Sequence, residues 1–146
     1  MLLFRKYTVC VSVVTVLSIL ATSCSESKVS QCNQLIEIAN GVVTDVQTVT
    51  QTAKGPQDTQ AMEKIANTTA QARSEMESLQ FADERLQAYQ TRFISMYSDT
   101  SQATNAMVTA VSSQDAEAAQ QAFDALQDAT ERESPLVEEV NTYCNN

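Results

Sequence analysis

From Cys32 to Cys144, apolar residues recur three and four positions apart with few interruptions. That is the period of an α-helix presenting one face to a core, whereas a half-buried strand would alternate every second residue. Only two glycines and two prolines occur in 146 residues, so the chain has few places to turn. Long helices joined by a handful of short connections are what this pattern permits.

The first stripe is Cys32, Leu35, Ala39, Val42, Val46 and Val49, widened by Ile36 and Val43. It predicts a helix over residues 29–53, stopped by Lys54-Gly55-Pro56. The second is Met62, Ile65, Thr69, Ala72, Met76 and Leu79, a coiled-coil-like seam that Gln57 or Asp58 is placed to open. Phe81 breaks the register and Asp83 can cap a third helix. That helix carries Leu86, Tyr89, Phe93, Met96, Thr100, Ala103, Met107 and Ala110. Residues 112–115 offer a turn and the next cap. A fourth stripe, Ala119, Phe123, Leu126 and Thr130, resumes as Val137, Val140 and Cys144, with Glu133 between its halves. Pro135 predicts a kink or short break near residues 133–135.

The N-terminus is organised differently. Arg5 and Lys6 precede an apolar run over residues 8–21 and then small residues before Cys24. The run is shorter than the roughly 20 residues a membrane-spanning helix needs, so it reads as a signal peptide over residues 1–23, against a short membrane anchor. Leu20, Ala21, Thr22, Ser23 and Cys24 resemble the bacterial lipobox, although that family more often has Leu where Ala21 stands. The resemblance implies cleavage before Cys24 and a lipid on its thiol. Ordinary signal cleavage after Ser23 would cut the same bond and leave Cys24 bare. Residues 24–30 then form a lipidated cysteine and tether, and residues 31–146 a single domain.

Four cysteines are present. Cys10 leaves with the signal, and lipid on Cys24 leaves Cys32 and Cys144 as a pair. In an exported chain, two thiols point to one disulfide, against the alternative of two independent thiols. The pair also tests the helix count. An even number of antiparallel helices returns the chain to its starting end, where Cys32 and Cys144 can meet; three helices would hold them a bundle-length apart. The expected fold is therefore all-α, an antiparallel up-down four-helix bundle with its termini joined by a disulfide.

Charge and missing residue types limit the chemistry. The net charge is −9, and without Arg5 and Lys6 seven basic residues face eighteen acidic ones. This speaks against nucleic acid, whose phosphates need Lys and Arg. With no histidine there is no His base, no His metal ligand and no Glu-x-x-His di-iron pattern. No nucleophile elbow or phosphate loop appears. The expectation is a protein that is not an enzyme and needs no metal or cofactor.

Two features remain as candidate sites. Glu117, Asp124, Asp128 and Glu131 share one outer face of the fourth helix; they would meet a basic protein partner or weakly hold Ca²⁺, or simply keep the helix solvated. Asp128 and Arg132 are also spaced as an i,i+4 pair. Tyr89, Phe93, Met96 and Tyr97 form an aromatic stripe on the third helix. It is core in the ordinary case, and would line a pocket if the bundle held an apolar ligand. Tyr97 lies beside the main seam and is expected to be partly exposed, which adds it to the partner face.

The stretches "SQCNQLIEIANGV", "LQFADERLQAYQTRFISMYSDTSQA" and "VNTYCNN" look like those of small, uncharacterised helical lipoproteins of cyanobacteria. The resemblance implies export and a lipid anchor in the bacterial cell membrane or outer membrane, facing the periplasm or a lumenal compartment. The expected function is a membrane-tethered, non-enzymatic accessory or interaction module of the cell envelope. A carrier of a small apolar ligand in the bundle core is the alternative.

Overall fold

The computed structural model describes residues 27–55 and 57–146. The expected signal peptide, Cys24 and the first part of the tether lie outside them, as does Pro56. The described chain forms α1 (Lys28–Thr52), α2 (Thr59–Ser78), α3 (Glu84–Ser113), α4 (Ala116–Glu131) and α5 (Glu133–Cys144). Residues 28–30, expected in the tether, already belong to α1.

Four helix starts are fixed by short polar side chains. The side chains of Ser27, Asp58, Asp83 and Asp115 accept hydrogen bonds from the backbone N–H groups of Ser30, Ala61, Leu86 and Ala118, at 3.2, 3.1, 3.0 and 3.0 Å. Each satisfies a donor that the first helical turn leaves without a carbonyl. The α3–α4 turn closes through Gln114 in the left-handed region (φ 57°), with Asp115 N–H donating to the Ala110 carbonyl at 2.9 Å.

α5 begins without a side-chain cap, and the reason is Pro135. In a continuous helix its ring would strike the carbonyl of Glu131 and it could donate no hydrogen bond. The helix breaks at Arg132, slightly before the expected position, and restarts with Pro135 in the first turn of α5. α4 and α5 together make the fourth arm of an antiparallel bundle.

α3 is the central strut. α2 and α4 pack along it, while α1 packs on α2 and meets α5 near the chain ends. Those ends are stapled: Cys32 and Cys144 form a disulfide with their Cα atoms 5.9 Å apart, across a sequence separation of 112. The even helix count and the cysteine pair agree.

The core divides into two regions. Around the staple lie Cys32, Leu35, Met76, Phe81, Leu86, Tyr89, Phe93, Leu136 and Val140, all buried. Each large side chain here contributes roughly 1.5–3 kcal/mol through its burial. Toward the other end the buried residues are small or hydroxylated: Ala66, Thr69, Thr100, Ser101, Thr104, Ala110, Ala122 and Ala129. Ser101 donates across to the Ala66 carbonyl at 2.9 Å, and Thr104 back to the Thr100 carbonyl at 2.7 Å. Small residues let α2, α3 and α4 approach closely but leave little apolar bulk to reach α1.

Glutamines tie down the α2–α3 connection. Gln90 donates to the carbonyls of Met76 and Leu79, at 2.7 and 2.9 Å, where α2 ends. Gln87 donates to the Phe81 carbonyl at 2.7 Å, and the buried Gln31 of α1 accepts from the N–H of Ala82 at 2.8 Å. Backbone groups of a turn pressed against the core thus keep their partners.

Candidate functional site

One seam of the bundle is open. No Cα of α1 lies within 8 Å of a Cα of α4, although both helices carry apolar residues toward the space between them. The gap is a groove of about 450 Å³, with Val42, Val43, Val46, Met96, Phe123 and Leu126 among its apolar walls. A smaller space of about 300 Å³ past Ala39 and Val137 lies toward the staple and shares Val43, Thr130 and Glu133 with the main groove. The disulfide and α5 hold α1 at one end, and farther along α1 no Cα of α4 lies within 8 Å of it.

The phase of α4 creates this opening. The spacing predicts Phe123, Leu126 and Thr130 as its core face. Instead Ala122 and Ala129, seven residues apart, are buried against α3, while Phe123 is 53% exposed and Thr130 is exposed. Close packing of alanines on the small residues of α3 turns the large side chains into the groove. Val43 of α1, at 38% exposure, faces the same space.

The polar groups of the groove are few. The hydroxyls of Thr69, Thr100 and Thr130 donate to carbonyls of their own helices. Tyr97 is only 2% exposed, and its hydroxyl is buried with no hydrogen-bond partner among the described residues. Burial, and secondarily the charge of Glu133, pushes its ionisation far above the ordinary phenol range. Glu133 is half-buried at the same groove, and desolvation raises its carboxyl above the ordinary value. The neighbouring Arg132 turns away to Asp99, at 2.6 Å, and not along its helix to Asp128.

The candidate residues read from sequence separate into three groups. Cys32 and Cys144 form the staple. Glu117, Asp124, Asp128 and Glu131 are all exposed on α4; Gln120 donates to Asp124 and Gln127 to Glu131, both at 2.8 Å. Among the described residues, no group of acidic or cysteine side chains is gathered to hold a metal ion. Tyr97 does not join that face: it is buried, because its position beside the α3 seam points it at the α1–α4 gap. Of the aromatic stripe, Met96 and Tyr97 line the groove, while Tyr89 and Phe93 belong to the stapled core. Sequence reasoning gave Glu133 no role; its signal was an acid standing where a seam residue is due.

Among the described residues, no helix is long and apolar enough to cross a membrane. No protein-family model, curated protein or solved structure matches the chain.

Proposed function

We propose that this protein is an exported, lipid-anchored helical bundle that carries a small apolar ligand in the seam between α1 and α4. The observation carrying the reading is the groove itself: about 450 Å³, walled by valines, Met96, Phe123 and Leu126, between two helices that do not pack on each other. Pockets for small apolar molecules have this size and this mixture of apolar walls with few polar groups. The lipobox-like residues ending at Cys24 support the anchor, and the disulfide suits an oxidising compartment. Native mass spectrometry of gently extracted protein tests the carrier reading. A stoichiometric small-molecule adduct supports it, and bare protein under conditions that retain lipids in other carriers counts against it. Intact mass tests the anchor through the increment of a diacylglyceryl cysteine.

The exposed acidic row on α4 favours a second reading, an envelope module that meets a basic protein partner. Crosslinking in native membranes separates the two: a protein partner at Glu117, Asp124, Asp128 or Glu131 supports the module.

A further inference from the structure

We propose that the groove between α1 and α4 selects an apolar molecule bearing a cationic amine, with the chain along Val43, Val46, Phe123 and Leu126 and the amine between Glu133 and Tyr97. The inference rests on the carrier reading and names its ligand class.

An apolar tail alone would fill the space but leave two polar groups as they are. The Tyr97 hydroxyl is buried with no hydrogen-bond partner among the described residues, a state that costs free energy until something meets it. The Glu133 carboxylate is half-buried at an apolar wall, with no cation or hydrogen-bond donor holding it among the described residues. Its nearest guanidinium in sequence, that of Arg132, is committed to Asp99. A buried carboxylate is stabilised by an opposite charge brought into contact with it. An ammonium group offers that charge and has N–H donors for both the carboxylate and the phenol oxygen. A fatty acid would place a second carboxylate beside Glu133, and like charges in a poorly solvated site repel. The acidic surface of the domain also concentrates cations near the groove.

Titration calorimetry with decylamine, decanol and decanoate, each below its aggregation concentration, tests this on the intact domain with its disulfide. Decylamine is expected to bind roughly tenfold or more tightly than decanol, and decanoate more weakly than either. In Glu133→Gln the preference for decylamine over decanol falls to near unity and decanoate gains. Glu63→Gln removes the same charge from the exposed side of α2 and keeps the wild-type ratio. Thermal melts of both variants establish that they are folded. Equal binding of decanol and decylamine, or a preference surviving in Glu133→Gln, overturns the amine assignment while leaving an apolar carrier. Binding of none of the three probes overturns the carrier reading and the assignment with it.

Discussion

The hydroxyl of Tyr143 donates to Asp83 Oδ2 at 2.6 Å, while the other oxygen of that carboxylate accepts the N–H groups of Arg85 and Leu86 at 2.9 and 3.0 Å. One aspartate therefore caps α3 and holds the end of α5 on it. Lys28 lies over the Tyr143 ring, 4.1 Å from its centroid, so the start of α1 joins the same cluster. The Tyr143 hydrogen bond, then the backbone donors, lower the Asp83 carboxyl below its usual 3.8. A depressed folded-state value means the stabilisation is complete above the unfolded value and is lost as pH falls through the folded one. Urea midpoints are expected to drop as pH is lowered below about 4, and the drop should be smaller in Tyr143→Phe. At neutral pH that variant should also have the lower urea midpoint of the two. Equal acid sensitivity in the two proteins would show that Asp83 is held by its backbone donors alone.

The staple closes nearly the whole domain, since 112 positions separate Cys32 from Cys144. In the chain-entropy account such a loop contributes about 4–5 kcal/mol, and measured values are often lower. Cys32→Ser with Cys144→Ser should lower the denaturant midpoint sharply while leaving the helical circular-dichroism signal of the folded state in place. Reductant should move the wild type to the same midpoint and leave the double variant unmoved.

Gln114 sits at φ 57° as the C-cap of α3. A residue with a Cβ pays roughly 1 kcal/mol or more to stand in that region, and glycine does not. Gln114→Gly should therefore raise the melting temperature, by about the few degrees that a gain of this size gives a domain of this length. A lower melting temperature would show that the Gln114 side chain makes a contact outweighing the backbone gain.

Helix number, direction and most boundaries were legible because they depend on local chemistry. Asp58, Asp83 and Asp115 are caps whatever surrounds them, and α3 buries seven of its eight stripe residues, Leu86 through Ala110, leaving Met107 half-buried. The phase of α4 was not legible, because two faces of an alanine-rich helix compete. Phe123 and Leu126 carry the hydrophobicity, yet Ala122 and Ala129 fit the shallow surface of α3. Periodicity reports which residues share a face and not which neighbour that face meets. The error over Tyr97 has the same root: it lies beside the α3 stripe, and its burial is set by the packed bundle and not by its own helix. Gln31, Gln87 and Gln90 were missed because glutamine usually reads as surface, and only the fold brings their amides to the turn.

Tyr97 offers a test in which stability and binding move oppositely. Its hydroxyl is buried with no partner among the described residues, so Tyr97→Phe removes a desolvated polar atom and keeps the ring, which lies 5.8 Å from that of Phe93. The ligand-free variant should be as stable as the wild type or more stable, by up to about 1 kcal/mol in chemical denaturation. Its affinity for decylamine should fall. A loss of stability would mean that the hydroxyl is satisfied in solution and is not waiting for a ligand.

The distal half of α1 should be the least protected helical segment. Seven of the ten residues 43–52 are Val or Thr, whose branched side chains each cost roughly half a kcal/mol in a helix relative to alanine. Their hydroxyls turn back on the helix, with Thr44 donating to the Asn40 carbonyl and Thr48 to the Thr44 carbonyl, both at 2.9 Å, so they tie α1 to nothing else. Along this half no Cα of α4 comes within 8 Å, and of the residues beyond Val42 none is fully buried. Segments with few buried apolar contacts open at lower free energy than the domain as a whole. Hydrogen exchange read by mass spectrometry should show amides in residues 43–52 exchanging well ahead of those in the middle of α3. A molecule seated against Val43, Val46, Phe123 and Leu126 supplies the missing neighbour, so saturating ligand should slow exchange in this segment more than elsewhere. Uniform protection along α1 in the ligand-free protein would mean that the seam is closed in solution.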